Sequence, residues 1–213
     1  MINGAIQAAT AERRGRARQS MRIGLIRHFP VEQQFPSGWK TSAELLLWRE
    51  QYEASPVILG QADLGSFEWT QCISSDIERA VATAKAVFRG PFEQTPLLRE
   101  PDFAQFGTGD LRLPVWIWRW ILLLSWAAGH SSQRACRDEF RRRVAAMADL
   151  LEGTTGDVLV VSHGGMMTFL SAELRRRGFS GQQPGIRECL VVPGIAVGRG
   201  KAFGGVIVET PAL

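Results

Sequence analysis

Two apolar runs in this 213-residue chain end in a histidine: Ile23–Gly24–Leu25–Ile26 leads into Arg27–His28, and Val158–Leu159–Val160–Val161–Ser162 into His163. There are three histidines in all, His28, His130 and His163, so two of them occupy the same kind of place. His163 is followed by Gly164–Gly165 and a helical pattern, which exposes backbone N–H groups at a helix N-terminus, a ready anion site. Arg79 stands in the first turn of another helical pattern, just after the short run Cys72–Ile73–Ser74–Ser75. Together these groups describe a phosphate pocket. Arginine presents a rigid fork of donors that matches phosphate oxygens and stays charged at any working pH. A neutral imidazole is a competent nucleophile toward phosphorus, and a second, protonated one can stabilise charge on the group in transfer. A leaving alkoxide then needs a proton from a carboxylic acid with a raised pKa.

These residues must be carried by elements that bring their ends together. Met21–Ile26, Thr70–Ser75 and Asp157–Ser162 read as strands, the first and last continuous in apolar residues as buried parallel strands are. Helices are expected over 41–52, with Thr41 or Ser42 as cap, and over 76–88, where Ile77, Val81, Ala84 and Phe88 share a face. Three more are expected at 114–127, at 131–153 with Gly153 placed to end it, and at 164–177. Thr95–Glu100 reads as a strand or extended segment, and late strands are expected at 188–192 and 202–209. The alternation predicts a three-layer α/β/α sandwich with a mostly parallel central sheet. In such sheets ligands bind beyond the carboxyl ends of the strands, so Arg27–His28 and His163 are expected at one rim.

Composition is that of a soluble globular protein, 45% hydrophobic and 22% charged. Of the net charge of +4, residues 1–20 supply +3 through Arg13, Arg14, Arg16 and Arg18 against Glu12. The body is close to neutral, which argues against a nucleic-acid partner. The basic stretch has no apolar core, so it is not read as a secretory signal; it is expected to be a disordered extension, with Met21 the alternative start. Cys72, Cys136 and Cys189 fit no disulfide or metal-binding spacing, which favours a reducing, cytoplasmic setting. Residues 113–129 hold four of the seven tryptophans, Trp116, Trp118, Trp120 and Trp126. Arg119 interrupts this segment, and it is shorter than the roughly 20 apolar residues of a membrane span.

The segments "LIRHFP", "SSDIERAVATA", "LLRE" and "VVSHGG", in that order over residues 22–165, resemble the histidine phosphatase superfamily, also called phosphoglycerate mutase-like. The resemblance implies that His28, paired with Arg27, is the nucleophile that becomes phosphohistidine. It implies that Arg79 and His163 complete the phosphate pocket, that Glu100 is the proton donor, and that no cofactor or metal is needed. Asp102, two residues on, is the second candidate donor. The family usually has a glycine and a polar residue after the Arg-His pair, where this chain has Phe29–Pro30, and Gly164 stands where another large branch has an aspartate.

The implied activity is metal-independent hydrolysis of a small phosphorylated metabolite. A phosphoglycerate mutase-type phosphotransferase, a protein phosphohistidine phosphatase, and a non-catalytic scaffold docking through its tryptophans are the alternatives. Residues 21–213 are expected to form one domain, with an insertion at about 104–130 acting as a helical lid. Trp116 and Trp120 cannot share a helical face with Trp118, so part of this segment should meet substrate, a bilayer surface or a second subunit in a homodimer. His130 either caps the following helix or contacts substrate from the lid, and Arg141–Arg143 and Arg175–Arg177 are expected to be solvated helix faces.

Overall fold

The computed structural model describes residues 21–64, 66–181, 203–204 and 206–209. In chain order these form β1 (Arg22–Arg27), β2 (Trp39–Lys40), α1 (Ser42–Glu53), β3 (Ala62–Asp63), β4 (Gln71–Ser75), α2 (Glu78–Val87) and β5 (Glu93–Thr95). A single 3₁₀ turn, Pro96–Leu98, then leads to β6 (Leu113–Pro114), α3 (Val115–Ala127), α4 (Ser131–Gly153), β7 (Val158–Ser162), α5 (Gly164–Arg176), β8 (Ser180–Gly181), β9 (Phe203–Gly204) and β10 (Val206–Glu209). The basic stretch 1–20 and the strand expected at 188–192 lie outside the described residues.

The central sheet has the order β5-β4-β7-β1-β10-β8. The pairs β5–β4, β4–β7 and β7–β1 are parallel, and β10 runs antiparallel to both of its neighbours. Side chains of the central strands alternate between two cores, which explains why their sequences are apolar throughout. Ile23, Leu25, Ile73, Val158 and Val160 enter one core with Phe140, Val144, Met147 and Leu151 of α4 and Met166, Leu170 and Leu174 of α5. Ile26, Cys72, Leu159 and Val161 enter the other with Ala80 and Ala84 of α2. This is the α/β/α layering that the alternation predicts.

Local signals set the element ends. Thr41 and Glu44 form a reciprocal capping box at the start of α1, each side chain bonding the other's backbone N–H. After β5, Pro96 has no N–H to continue a ladder, and the chain folds into the 3₁₀ turn with the Thr95 hydroxyl accepting from Leu97 N. Ser162 Oγ donates to Leu98 O at 2.8 Å, which pins that turn to the end of β7.

The 104–130 segment stands apart from the central sheet: β6 pairs with β2 in a separate two-stranded ribbon. Gln133 of α4, fully buried, anchors it by accepting from Ala104 N (3.0 Å) and donating to Ala104 O (2.9 Å). Trp118 is buried and donates to Lys40 O, while Trp126 packs against Phe103, Phe140 and Phe169. Trp116 and Trp120 stand 65% and 58% exposed.

The strand that carries Arg27 and His28 tolerates little change at Gly24. A Cβ there would lie 2.6 Å from Cη2 and 2.9 Å from Cζ2 of Trp69, a rigid ring packed against the α2-side core. Gly24→Ala should therefore lower unfolding free energy by about 1–3 kcal/mol in urea titrations. A loss below about 0.5 kcal/mol, within the range of ordinary surface changes, would show that the indole moves aside freely.

Candidate active site

Parallel pairing sets Arg27 opposite Ser162, and His28 N donates to Ser162 O at 2.8 Å. His28 and His163 therefore leave neighbouring strands at the same edge, and their ring centroids lie 5.1 Å apart. β4, on the other side of β7, ends in Ser75, whose Oγ is 3.0 Å from His163 Nε2. The chain then turns into α2, and Arg79 in its first turn points back to the pair: its Nε donates to His28 Nε2 at 3.2 Å.

The His28 ring is oriented by its own loop. Nδ1 lies 2.7 Å from Phe29 O, and a carbonyl oxygen only accepts, so the proton sits on Nδ1 and the lone pair on Nε2. Phe29 N in turn donates to Thr83 Oγ1, which donates to Arg79 O at 2.7 Å. This relay ties the loop after His28 to the first turns of α2. Phe29 is fully buried, so the residue that replaces the family's usual glycine faces inward.

Glu100 follows the 3₁₀ turn and reaches the start of α5, where its Oε1 accepts from Gly165 N at 2.8 Å. A Cβ at Gly165 would meet that same oxygen, so a larger residue there would push the Glu100 carboxyl out of this position. Burial pushes the Glu100 carboxyl above the ordinary carboxylate range, against the pull of Arg27, the Gly165 N–H and Arg79. Both imidazoles are held well below the usual histidine value. For His28 the causes are burial, then Arg27 and Arg79; for His163 they are burial, then His28, Arg79 and Arg27. Four buried side-chain nitrogens have no hydrogen-bond partner among the described residues, and two of them, Arg79 Nη1 and His163 Nδ1, lie at this site. A buried polar atom left unpaired costs about 1–3 kcal/mol, so the Arg79 donor calls for an acceptor and His163 Nδ1 for a partner that suits the ring's tautomer.

The sequence model of the histidine phosphatase superfamily (branch 1) matches residues 59–183, more than half of the chain. The chain belongs to the histidine phosphatase superfamily. Members of that superfamily are phosphatases or mutases. The match takes in Arg79, Glu100 and His163, and the fold brings His28, outside the matched range, against them. Among solved structures, the chain is similar to phosphoglycerate mutase from Bacillus anthracis (21% identity, 76% of this chain and 83% of that one, TM-score 0.48). It is similar also to a mycobacterial glucosyl-3-phosphoglycerate phosphatase (20%, 74% and 81%, TM-score 0.42). A third is alpha-ribazole phosphatase from Shigella flexneri (19%, 71% and 79%, TM-score 0.42). A search of curated proteins finds no match.

Of the residues singled out from the sequence of this superfamily member, Arg27, His28, Arg79, Glu100 and His163 converge, Arg27 through its charge on both histidines and on Glu100. Asp102 does not join them in the same way. Its side chain is 75% exposed and paired with Arg49 at 2.7 Å. His130 caps α4, its Nδ1 accepting from Ser132 N at 3.3 Å, and stands exposed.

Several residues at the site carried no sequence signal. Tyr52 of α1 lies edge-on to His28 with centroids 6.5 Å apart, and the Arg79 guanidinium sits 5.3 Å from its ring centre. Arg49, one turn earlier, bridges Glu53 and Asp102 at the rim. Arg143 and Arg177, expected on solvated faces, are not solvated. Arg143 folds back from α4 to donate to Pro96 O, Arg99 O and Glu100 O, holding the loop that carries Glu100. Arg177 pairs with Glu173, Asp149 and Glu152. A run of three arginines looks the same in sequence whether one of them turns inward or not.

With both histidine midpoints below the ordinary 6.5, the unfolded chain takes up protons first as pH falls. The histidine contribution to stability is complete above about pH 6.5 and is lost as pH drops from there toward the folded midpoints. Ring-nitrogen NMR of the ligand-free protein should show both imidazoles neutral at pH 6.5. A ring of this pair titrating at or above that value would contradict the buried, arginine-flanked geometry.

Proposed function

We propose that this protein is a metal-independent phosphomonoesterase acting on a small phosphorylated metabolite through a phosphohistidine on His28. The observation that carries the reading is a lone pair set beside unpartnered polar groups. His28 Nε2 is left free of its proton by the Phe29 carbonyl, in the same pocket as the unpartnered Arg79 Nη1 and His163 Nδ1.

In the first step Nε2 attacks phosphorus and the bond to the ester oxygen breaks. The Phe29 carbonyl supports the charge that the ring then carries, by keeping its hydrogen bond to Nδ1–H. Arg27, Arg79 and His163 hold the phosphoryl oxygens, a task of positioning and charge neutralisation. The departing alkoxide takes the proton of Glu100, whose carboxyl is kept protonated into a higher pH range by burial. In the second step water attacks the phosphohistidine, its proton returns to Glu100, and the N–P bond breaks. The sum is ester plus water to alcohol plus inorganic phosphate. Asp102 suits the donor role less well, because its side chain stands exposed and is already paired with Arg49.

Hydrolysis of p-nitrophenyl phosphate should persist in EDTA, and His28→Ala should lower kcat at least about a thousandfold. After an alkaline quench, base-stable and acid-labile label should be found on His28. Label on another residue, or an unaltered rate in the variant, would remove the proposed nucleophile. A fully inactive wild type would favour a scaffold role.

Glu100→Gln separates proton donation from positioning. Alkyl phosphates should slow by about 10²–10⁴, whereas p-nitrophenyl phosphate, whose leaving group scarcely needs a proton, should change far less. Equal losses on the two substrates would assign Glu100 to positioning alone.

A further inference from the structure

Three aromatic rings, each in contact with the other two, form a short, compact strip that begins beside His28. Tyr52, beside His28 and under Arg79, is followed by Trp48 at a centroid distance of 5.1 Å, and Phe35 lies 5.0 Å from Trp48 and 6.0 Å from Tyr52. Trp48 and Tyr52 are one turn apart on α1, so they present the same face, and Phe35 arrives from the loop before β2. The indole is held in place, with Trp48 Nε1 donating to Gln34 O at 2.8 Å.

This strip is not core packing. Ser42 is the one buried residue of α1, and Phe35 is 36% exposed. Trp48 and Tyr52 are half-buried and Phe35 is exposed, so the three rings are only partly sheltered. The far two rings continue into a cleft of about 470 Å³, lined by Phe35, Leu47 and Trp48 with Lys40, Gln34 and Gln51 among its polar groups. One end of the strip thus meets the unpartnered Arg79 Nη1 and the other an open cleft.

We infer that the Tyr52–Trp48–Phe35 strip seats the alcohol portion of the substrate, and that this chain favours phosphate monoesters of planar aromatic or heteroaromatic alcohols over small polar ones. The inference rests on the phosphomonoesterase reading above. A ring tethered to the ester oxygen by a short linker would stack on the strip while its phosphate lies between the arginines and histidines, and offset or edge-on ring contacts favour such seating beyond simple burial.

The test compares 2-(2-naphthyl)ethyl phosphate with ethyl phosphate, both of which leave as alkoxides and so ask the same of the proton donor. The naphthyl ester should have a kcat/KM larger by about tenfold or more, mainly through KM. Trp48→Ala should raise KM for the naphthyl ester about tenfold and leave ethyl phosphate within about twofold, and Trp48→Phe should keep most of the preference. The matching phosphonates, which cannot be hydrolysed, should show the same order of affinity by calorimetry. Equal affinity of the two phosphonates, or an equal loss on both esters in Trp48→Ala, would overturn the strip. If neither ester is hydrolysed while the naphthyl phosphonate still binds more tightly, the phosphomonoesterase reading fails and the strip stands. If Trp48→Ala does not fold, the two phosphonates on the wild-type protein decide alone.

Discussion

Because β1 and β7 pair in parallel with Arg27 opposite Ser162, the chain leaves both strands at one edge and at one height, and in each case a histidine comes next. No other arrangement of the site is open once that register is set. A one-residue slip would turn every side chain of β1 to the opposite face, sending Ile23 and Leu25 out of the α4–α5 core and Ile26 out of the α2 core. The burial of those side chains is what fixes the distance between the two rings. Ser75 and Arg79 come along with β4, the next strand over, and Glu100 comes along with the 3₁₀ turn that Ser162 holds.

The price of this convergence is electrostatic. Burial first, and then the charges of Arg27 and Arg79, disfavour the protonated form of both imidazoles. Two unit charges about 4 Å apart interact by roughly 4 kcal/mol at an effective dielectric near 20. Under the proposed reading, a phosphate dianion with several acceptor oxygens would answer this positive charge and the unpartnered Arg79 donor at once. Glu100 is the carboxyl bonded within this group, and its place at the start of α5 explains why it belongs there. Burial raises its pKa, against the opposing pull of the arginines and the Gly165 N–H.

Legibility from sequence followed the physics of each element. The strands that carry the histidines were readable because burial on both faces demands unbroken apolar runs, and α4 was readable because Phe140, Val144, Met147 and Leu151 keep one helical face. The rim position of Arg27, His28, Arg79 and His163 followed from where strands end. What lies around the rim was not readable. α1 announces its start through Thr41 and Glu44, but which of its faces meets the site depends on tertiary packing: the β2–β6 ribbon, and the Trp118 bond to Lys40 just before the helix. Hence Tyr52 and Arg49 were missed, and the segment at 104–130 drew attention that belongs equally to α1. Among the described residues, the aromatic contact to His28 from outside the sheet comes from α1.

The Phe29–Pro30 departure from the family pattern bears on the same division of labour. Phe29 N is spent on Thr83, so the loop after His28 has that amide committed to structure rather than available to phosphate oxygens. Under the proposed reading, oxyanion binding would fall on the arginines, on His163 and on the first turn of α5, where Gly165 N is already engaged by Glu100. The same loop leads on to Phe35 and into α1, with Ile58 N bonded to Pro30 O bracing its return. A chain that gives up a pliable glycine beside its candidate nucleophile gains a fixed path for the segment that builds the aromatic strip. Rigidity at Phe29 and the placement of Tyr52 are in that sense one structural choice, made where the strand that carries His28 ends.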